Sequence, residues 1–212
     1  LWKKKNGLRS RGEVKMRDKL TQGLVQVYTG DGKGKTTAAL GLAYRAVGHD
    51  FNVCFIQFMK GSSYCGELFT SQRLKPYLDF YQFGRGCPHS SVIRSGFRTC
   101  DACGECFLKD QKHQAEHKAY ATMAYDFAKS VLQEEKYDLV ILDEIGNALR
   151  YELISVEQAL HLIETKPPLV ELVLTGRGMP EEIIAAADLV SEIKAVKHPI
   201  KSGVKSRRGI EF

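Results

Sequence analysis

An α/β protein with a mainly parallel sheet and flanking helices is what this sequence predicts, on three observations. Short apolar runs alternate with helical patterns from Leu24 onward. Several of those runs are apolar almost throughout, as strands covered on both faces are. A glycine-rich loop also joins the first run to the first helix, which is where a strand-loop-helix unit places its turn.

Taken in order, LVQVYT (24–29) reads as the first strand and KTTAALGLAYRAV (35–47), with apolar residues at helical spacing, as the first helix. NVCFIQF (52–58) and LDFYQF (78–83) read as the next two strands. The stretch 84–112 breaks the alternation: it is glycine, cysteine and polar, and long for a structureless connection, so it is either functional or held by something other than a core. HQAEHKAYATMAYDFAKSVLQEE (113–135) is a long helix, DLVILDE (138–144) a strand and SVEQALHLIE (155–164) a helix. LVELVLT (169–175), PEEIIAAA (180–187) and LVSEIKAV (189–196) close the series as strand, helix and strand. There is no internal repeat and no low-complexity segment.

At 212 residues and 43% hydrophobic, the chain is sized for one sizeable core. No stretch approaches the roughly 20 apolar residues of a membrane span. The opening LWKKKNGLRSRGEVKMRDK lacks the apolar centre of a secretory signal, so a cytoplasmic protein is expected. The net charge of +6 would suit a nucleic-acid binder, but its location argues against one. Residues 1–19 carry eight Lys/Arg against two Asp/Glu, leaving 23 of each sign in a formally neutral remainder. The expected organisation is a basic N-terminal arm (1–22) and a catalytic domain (23–212) with a Cys-rich insert at about 84–112.

TGDGKGKTT (29–37) follows the first strand and opens the first helix, the context a phosphate-binding loop needs. Successive amides from Gly30 to Thr36 can curl around phosphate oxygens, and the helix N-terminus adds partial positive charge. Lys35 would reach phosphate and the Thr36 hydroxyl would ligate Mg²⁺. The usual Gly-x4-Gly-Lys-Ser/Thr pattern requires glycine where this chain has Thr29, and an extra Lys33 sits inside the loop, so the match is to a variant. YDLVILDE supplies a second signal, an apolar strand ending in Asp143 and Glu144, where such folds place the acid that holds Mg²⁺ or its waters. A P-loop NTPase (RecA-like) architecture follows, although phosphate loops serve many reactions and this one does not name its own.

TGDGKGKTTAALGLAYRAVGHDFNV, QFMKGSSYCGE, YDLVILDE, LTGRGMPEEIIAAADLVSEIKAVKHPI and GVKSRRGIEF resemble, in order, segments of the P-loop corrinoid (cob(I)alamin) adenosyltransferases. The resemblance spans about residues 23–212, and the Thr-Gly-Asp/Asn-Gly-Lys-Gly-Lys-Thr-Thr loop is more specific to that family than a generic phosphate loop. It implies transfer of adenosyl from ATP to the Co(I) of a corrinoid, with triphosphate leaving, in cobalamin biosynthesis or salvage. It implies that Gly30, Asp31, Gly32, Lys33, Gly34, Lys35, Thr36, Thr37 and Arg177 bind nucleotide. Lys33, Lys35 and Glu144 would act on the leaving triphosphate, and Mg²⁺ would sit on Thr36, Glu144 and Asp143. A homodimer is implied, and so is an electron-donating flavoprotein or ferredoxin, because the cobalt must be reduced before it attacks. The segments VKH (196–198) and GVKSRRGIEF complete the nucleotide or corrinoid side.

The departure from that family is CPHSSVIRSGFRTCDACGEC (87–106), which stands where relatives carry a short aromatic-bearing segment beside the corrinoid. Cys100, Cys103 and Cys106 with Cys87 upstream offer four soft ligands around tight turns. A structural Zn²⁺ and a [4Fe–4S] cluster both fit, as do plain thiols without metal. Cys54 reads as core, and Cys65 as a loop residue and substitute fourth ligand. His113-x-x-Glu116-His117 matches a zinc-peptidase pattern but reads as an exposed helix face, with auxiliary metal contact the other role open to it. Two other functions fit parts of the chain: a zinc-containing P-loop nucleoside kinase, and a zinc module binding nucleic acid. The second is disfavoured because Arg94 and Arg98 are the only Lys or Arg between the outer cysteines.

Overall fold

The computed structural model describes residues 20–61, 64–98, 103, 113–204 and 206–211. Its strands are β1 (Val25–Thr29), β2 (Val53–Phe58), β3 (Leu78–Phe83), β4 (Leu139–Asp143), β5 (Glu171–Thr175) and β6 (Leu189–Glu192). Its helices are α1 (Lys35–Val47), α2 (Gly66–Arg73), α3 (Ser90–Arg94), α4 (Gln114–Gln133), α5 (Ile145–Arg150), α6 (Val156–Glu164) and α7 (Glu181–Ala185). One six-stranded sheet runs β3-β2-β4-β5-β1-β6, with all neighbours parallel.

The sheet is covered on both faces, which is why its central strands lack polar alternation. On one face Val27, Ile56, Leu142 and Leu174 pack with Ala121, Ala124 and Ala128 of α4, Leu162 of α6 and Ile183 of α7. On the other, Phe55, Ile141 and Val173 meet Ala39, Ala43 and Ala46 of α1. Alanines spaced three and four apart put a smooth stripe on α1 and α4, so both helices lie close to the strands. α6 is stopped at its start by a capping box: the Gln158 amide donates to the Ser155 hydroxyl and the Ser155 amide to the Gln158 side chain.

The register brings the strand C-termini to one edge. Tyr28 lies opposite Thr175, Leu142 opposite Leu174 and Gln57 opposite Asp143. The ends of β1, β2, β4 and β5 therefore share a rim, where an open parallel sheet gathers its ligand-binding loops.

Three features depart from the sequence expectation. α2, α3 and α5 are short helices of 8, 5 and 6 residues, too brief for a clear apolar stripe. α3 lies inside the stretch 84–112 that breaks the alternation of strand and helix patterns. The last strand ends at Glu192 rather than residue 196 and is exposed along its length, because it forms the sheet edge. The arm expected at 1–22 falls outside the described residues up to position 19, and so do Cys100 and Cys106.

Candidate nucleotide-binding site

The chain leaves β1 through Gly30, whose φ of 98° belongs to the left-handed region. A Cβ at Gly30 would lie 2.5 Å from the Ile193 carbonyl oxygen, so glycine is required for space as well. Ile193, just past β6, braces the loop: its amide donates to the Thr29 carbonyl at 2.8 Å and its carbonyl accepts the Gly32 amide at 2.7 Å. Gly34, at φ 126°, turns the chain into α1, and the N-terminal amides of α1 face the space ahead of the loop.

Lys35 is buried and bends back across the loop, donating to the carbonyls of Gly30 at 2.6 Å and Gly32 at 2.8 Å. Burial, helped by the nearby Arg177 guanidinium, lowers the pKa of its ammonium.

The acid strand is fixed with equal care. Asp143 is fully buried, and its Oδ1 accepts the Thr175 hydroxyl at 2.7 Å. Its Oδ2 accepts the Gln57 amide at 2.9 Å and the Thr36 hydroxyl at 3.2 Å, with Lys60 Nζ at 3.5 Å. The Thr175 hydroxyl in turn accepts the Glu144 amide at 3.0 Å. β5 separates β1 from β4, and from β5 the Thr175 side chain reaches Asp143 and Glu144. Glu144 adopts φ 63°, an unusual conformation for a glutamate, which turns the chain sharply into α5. Asn147 Nδ2 donates to Glu144 Oε2, and Asn147 Oδ1 accepts the Arg177 amide at 3.3 Å. Burial, and after it the Asp143 carboxylate, raise the Glu144 pKa.

These groups border a cavity of about 800 Å³. Lys33, Lys35, Thr36, Glu144, Lys60 and Arg177 line its polar end, while Leu40, Leu74 and Leu78 give it apolar wall. The C-terminal segment closes the far side through His198, Ser206, Gly209, Ile210 and Glu211. There His198 Nδ1 accepts the Ile200 amide at 3.2 Å, and the Arg207 guanidinium grips Glu211 at 3.1 and 3.2 Å.

A model of the family described as ATP:corrinoid adenosyltransferase BtuR/CobO/CobP matches residues 21–212. The chain belongs to that family. It is 35% identical over 192 residues to a corrinoid adenosyltransferase of a Sinorhizobium species, covering 90% of this chain and 81% of that one. It is 33% identical over 191 residues to the corrinoid adenosyltransferase of Escherichia coli K12, covering 90% and 86%. It is 34% identical over the same length to corrinoid adenosyltransferase CobA of Salmonella typhimurium, again covering 90% and 86%. Among solved structures, the flagellar accessory protein FlaH of Methanocaldococcus jannaschii superposes at TM-score 0.49 and 13% identity, covering 82% of this chain and 72% of that one.

Within this adenosyltransferase fold, Gly32, Lys33, Gly34, Lys35, Thr36, Thr37, Glu144 and Arg177 come together on one cavity. Gly30 and Asp143 stand one step behind it, acting through Lys35 and Thr36 respectively. Asp31 is exposed beside the loop. Lys60, Gln57, Thr175 and Asn147 were not singled out from the sequence. For Gln57, Lys60 and Thr175 the signal lies in QFMKG and LTGRG, but a polar residue at a strand end carries no meaning until the neighbouring strand is known.

Of the cysteines, Cys54 and Cys87 are buried and Cys103 is exposed. Cys65 begins α2 and is buried, with its sulfur 3.6 Å from Gln82 Nε2. Among the described residues, no three metal-ligating side chains converge. The His113-x-x-Glu116-His117 face is exposed at Glu116 and half-exposed at His113, but not at His117. Glu116 lies 3.8 Å from Arg85 and 3.6 Å from His113, but His117 is turned inward at 1% exposure, with neither ring nitrogen hydrogen-bonded. Its position one turn before Ala121 puts it on the buried stripe of α4, and burial lowers its pKa. Among the described residues, no helix is long and apolar enough to cross a membrane.

Proposed function

We propose that the chain transfers the 5′-deoxyadenosyl group of ATP to the Co(I) of a corrinoid, releasing triphosphate. The observation that carries this reading is the placing of Lys35, Lys60 and Arg177 around one end of the cavity, with a glycine loop and helix N-terminus between them. In the transfer, the cobalt lone pair forms the bond to ribose C5′. The electron pair of the C5′–O bond leaves with the triphosphate, which gains one negative charge. No proton has to move, so the site needs cations and amide donors rather than a general base.

Gly30 to Thr37 would cradle the phosphate chain, with Lys35 and Lys33 at its oxygens and Arg177 closing the approach. The Thr36 hydroxyl and the Glu144 carboxylate fit a hard cation, and Asp143 joins them by holding Thr36 in place. A bound Mg²⁺ would add charge neutralisation to that of the lysines. A P-loop (RecA-like) architecture, with one strand between the loop strand and the acid strand, is the scaffold this reading assigns.

The insert at about 84–112 would shape the corrinoid side. Four thiols at Cys87, Cys100, Cys103 and Cys106 fit Zn²⁺ or a [4Fe–4S] cluster by donor chemistry, and the inward-facing Cys87 supports a ligand set based at the root of the segment. Such a centre would hold the segment's shape or, as a cluster, carry an electron. A cytoplasmic homodimer supplied with electrons by a flavoprotein or ferredoxin completes the reading, with residues 1–22 as a basic arm ahead of the domain.

Supplying chemically reduced cobalamin and Mg·ATP under anaerobic conditions tests the proposal. A light-sensitive adenosylcorrinoid spectrum is expected, and its absence with folded protein would remove the reading.

A further inference from the structure

Lys60 is a cation that the loop motif does not announce, yet the fold invests heavily in its position. β2 is followed by Met59 at φ 58°, a left-handed conformation that a methionine rarely adopts. The Met59 amide donates to the Phe83 carbonyl at 2.8 Å, so the turn is tied to the end of β3. Backbone then packs directly on backbone. A Cβ at Gly84 would lie 2.4 Å from the Lys60 nitrogen, and one at Gly61 would lie 2.3 Å from the Gly84 carbonyl oxygen. The result aims the Lys60 side chain, 30% exposed, into the cavity that Lys35 also lines, beside the Asp143 Oδ2 that accepts from Thr36.

Its contact with Asp143 does not account for this. Asp143 already accepts from Thr175, Gln57 and Thr36 at shorter distances than the 3.5 Å to Lys60. An ammonium carries three donors, and one loose contact does not use them up.

Resting on the adenosyl-transfer reading, we propose that Lys60 is a further catalytic cation of the reaction, touching the phosphate chain of ATP from the end of β2 and stabilising the charge the triphosphate gains as the C5′–O bond breaks. Lys35, at the start of α1, and Lys60, just past β2, thus both grip the leaving group.

Calorimetric titration of the full chain with inorganic tripolyphosphate, and separately with adenosine, tests this. Lys60→Gln is expected to bind tripolyphosphate about tenfold or more weakly while adenosine affinity stays within about twofold, and Lys60→Arg should recover most of the loss. The adenosyl-transfer kcat/KM for ATP should fall by about 10²–10³-fold in Lys60→Gln. Lys60→Met replaces the glutamine variant if that one does not fold. Unchanged tripolyphosphate affinity, or an equal loss for adenosine, overturns the proposal. A wild-type chain that binds neither ATP nor tripolyphosphate overturns the functional reading itself, and this inference with it.

Discussion

The Thr175 hydroxyl donates to Asp143 Oδ1 at 2.7 Å and accepts the Glu144 amide at 3.0 Å, so one small side chain on β5 holds the acid that ends β4 and the backbone of the acid that follows it. Replacing it with valine keeps the volume and leaves a buried carboxylate oxygen and an amide without their partner. Thr175→Val should cost about 1–3 kcal/mol in urea unfolding, and kcat should fall with it. Thr175→Ser, which keeps the hydroxyl, should recover most of both. A valine variant as stable and active as wild type would show that Asp143 is held by its other donors.

Gly176 and Gly146 meet backbone to backbone beneath Arg177. A Cβ at Gly176 would lie 2.5 Å from the Gly146 Cα, and its φ is 154°. Gly176→Ala should therefore destabilise by about 1–3 kcal/mol and raise the KM for ATP, as α5 is pushed away from β5. Thermal unfolding and steady-state kinetics check this together.

Glu144 yields a prediction with a definite sign. Its folded pKa is raised, so between the unfolded value and that raised value the native state holds a proton that the unfolded state has lost. Its contribution to stability is fully present below the unfolded value and declines as pH rises through the folded one. Above that window the ionised carboxylate is a cost to the fold. Glu144→Gln should therefore unfold at higher denaturant at pH 7, by about 0.5–2 kcal/mol, while losing most activity. The gain should vanish on acidification below the carboxylate range. A glutamine variant that is less stable at pH 7 would contradict this.

Lys35 sits where two loop carbonyls converge, so its removal should affect binding and fold in different measure. Lys35→Ala should lower kcat/KM for ATP by about 10³-fold or more, through loss of charge at the phosphates. Far-ultraviolet circular dichroism should remain near wild type, because β1 and α1 are held by the sheet and by Ala39 and Ala43.

Much of this was legible in the sequence, for physical reasons that differ by element. β2 and β4 are buried on both faces, so VCFIQF and LVILD announce themselves as apolar runs. The loop was legible because its glycines answer to steric demands that other residues cannot meet, as at Gly30 against Ile193. Lys60 and Thr175 were not, because their meaning depends on which strands are neighbours, and β5 enters between β1 and β4 from far along the chain. His117 was misread for a related reason. A histidine beside Glu116 looks solvent-facing in sequence, but the helical repeat carries it to the sheet side, where its ring nitrogens find no partner.

The cysteine segment gives a prediction of composition. Protein purified without oxygen should carry about one zinc per chain, or iron with acid-labile sulfide, and Cys87→Ser should lower that content. Metal-free protein with full activity would assign the four thiols no ligand role.

The central claim is that the bond broken lies at the ribose end of the phosphate chain. Phosphorus NMR of the products, after incubation with Mg·ATP and reduced cobalamin, tests it most directly. Inorganic triphosphate formed in step with adenosylated corrinoid is the predicted result; ADP with no alkylated corrinoid would contradict it.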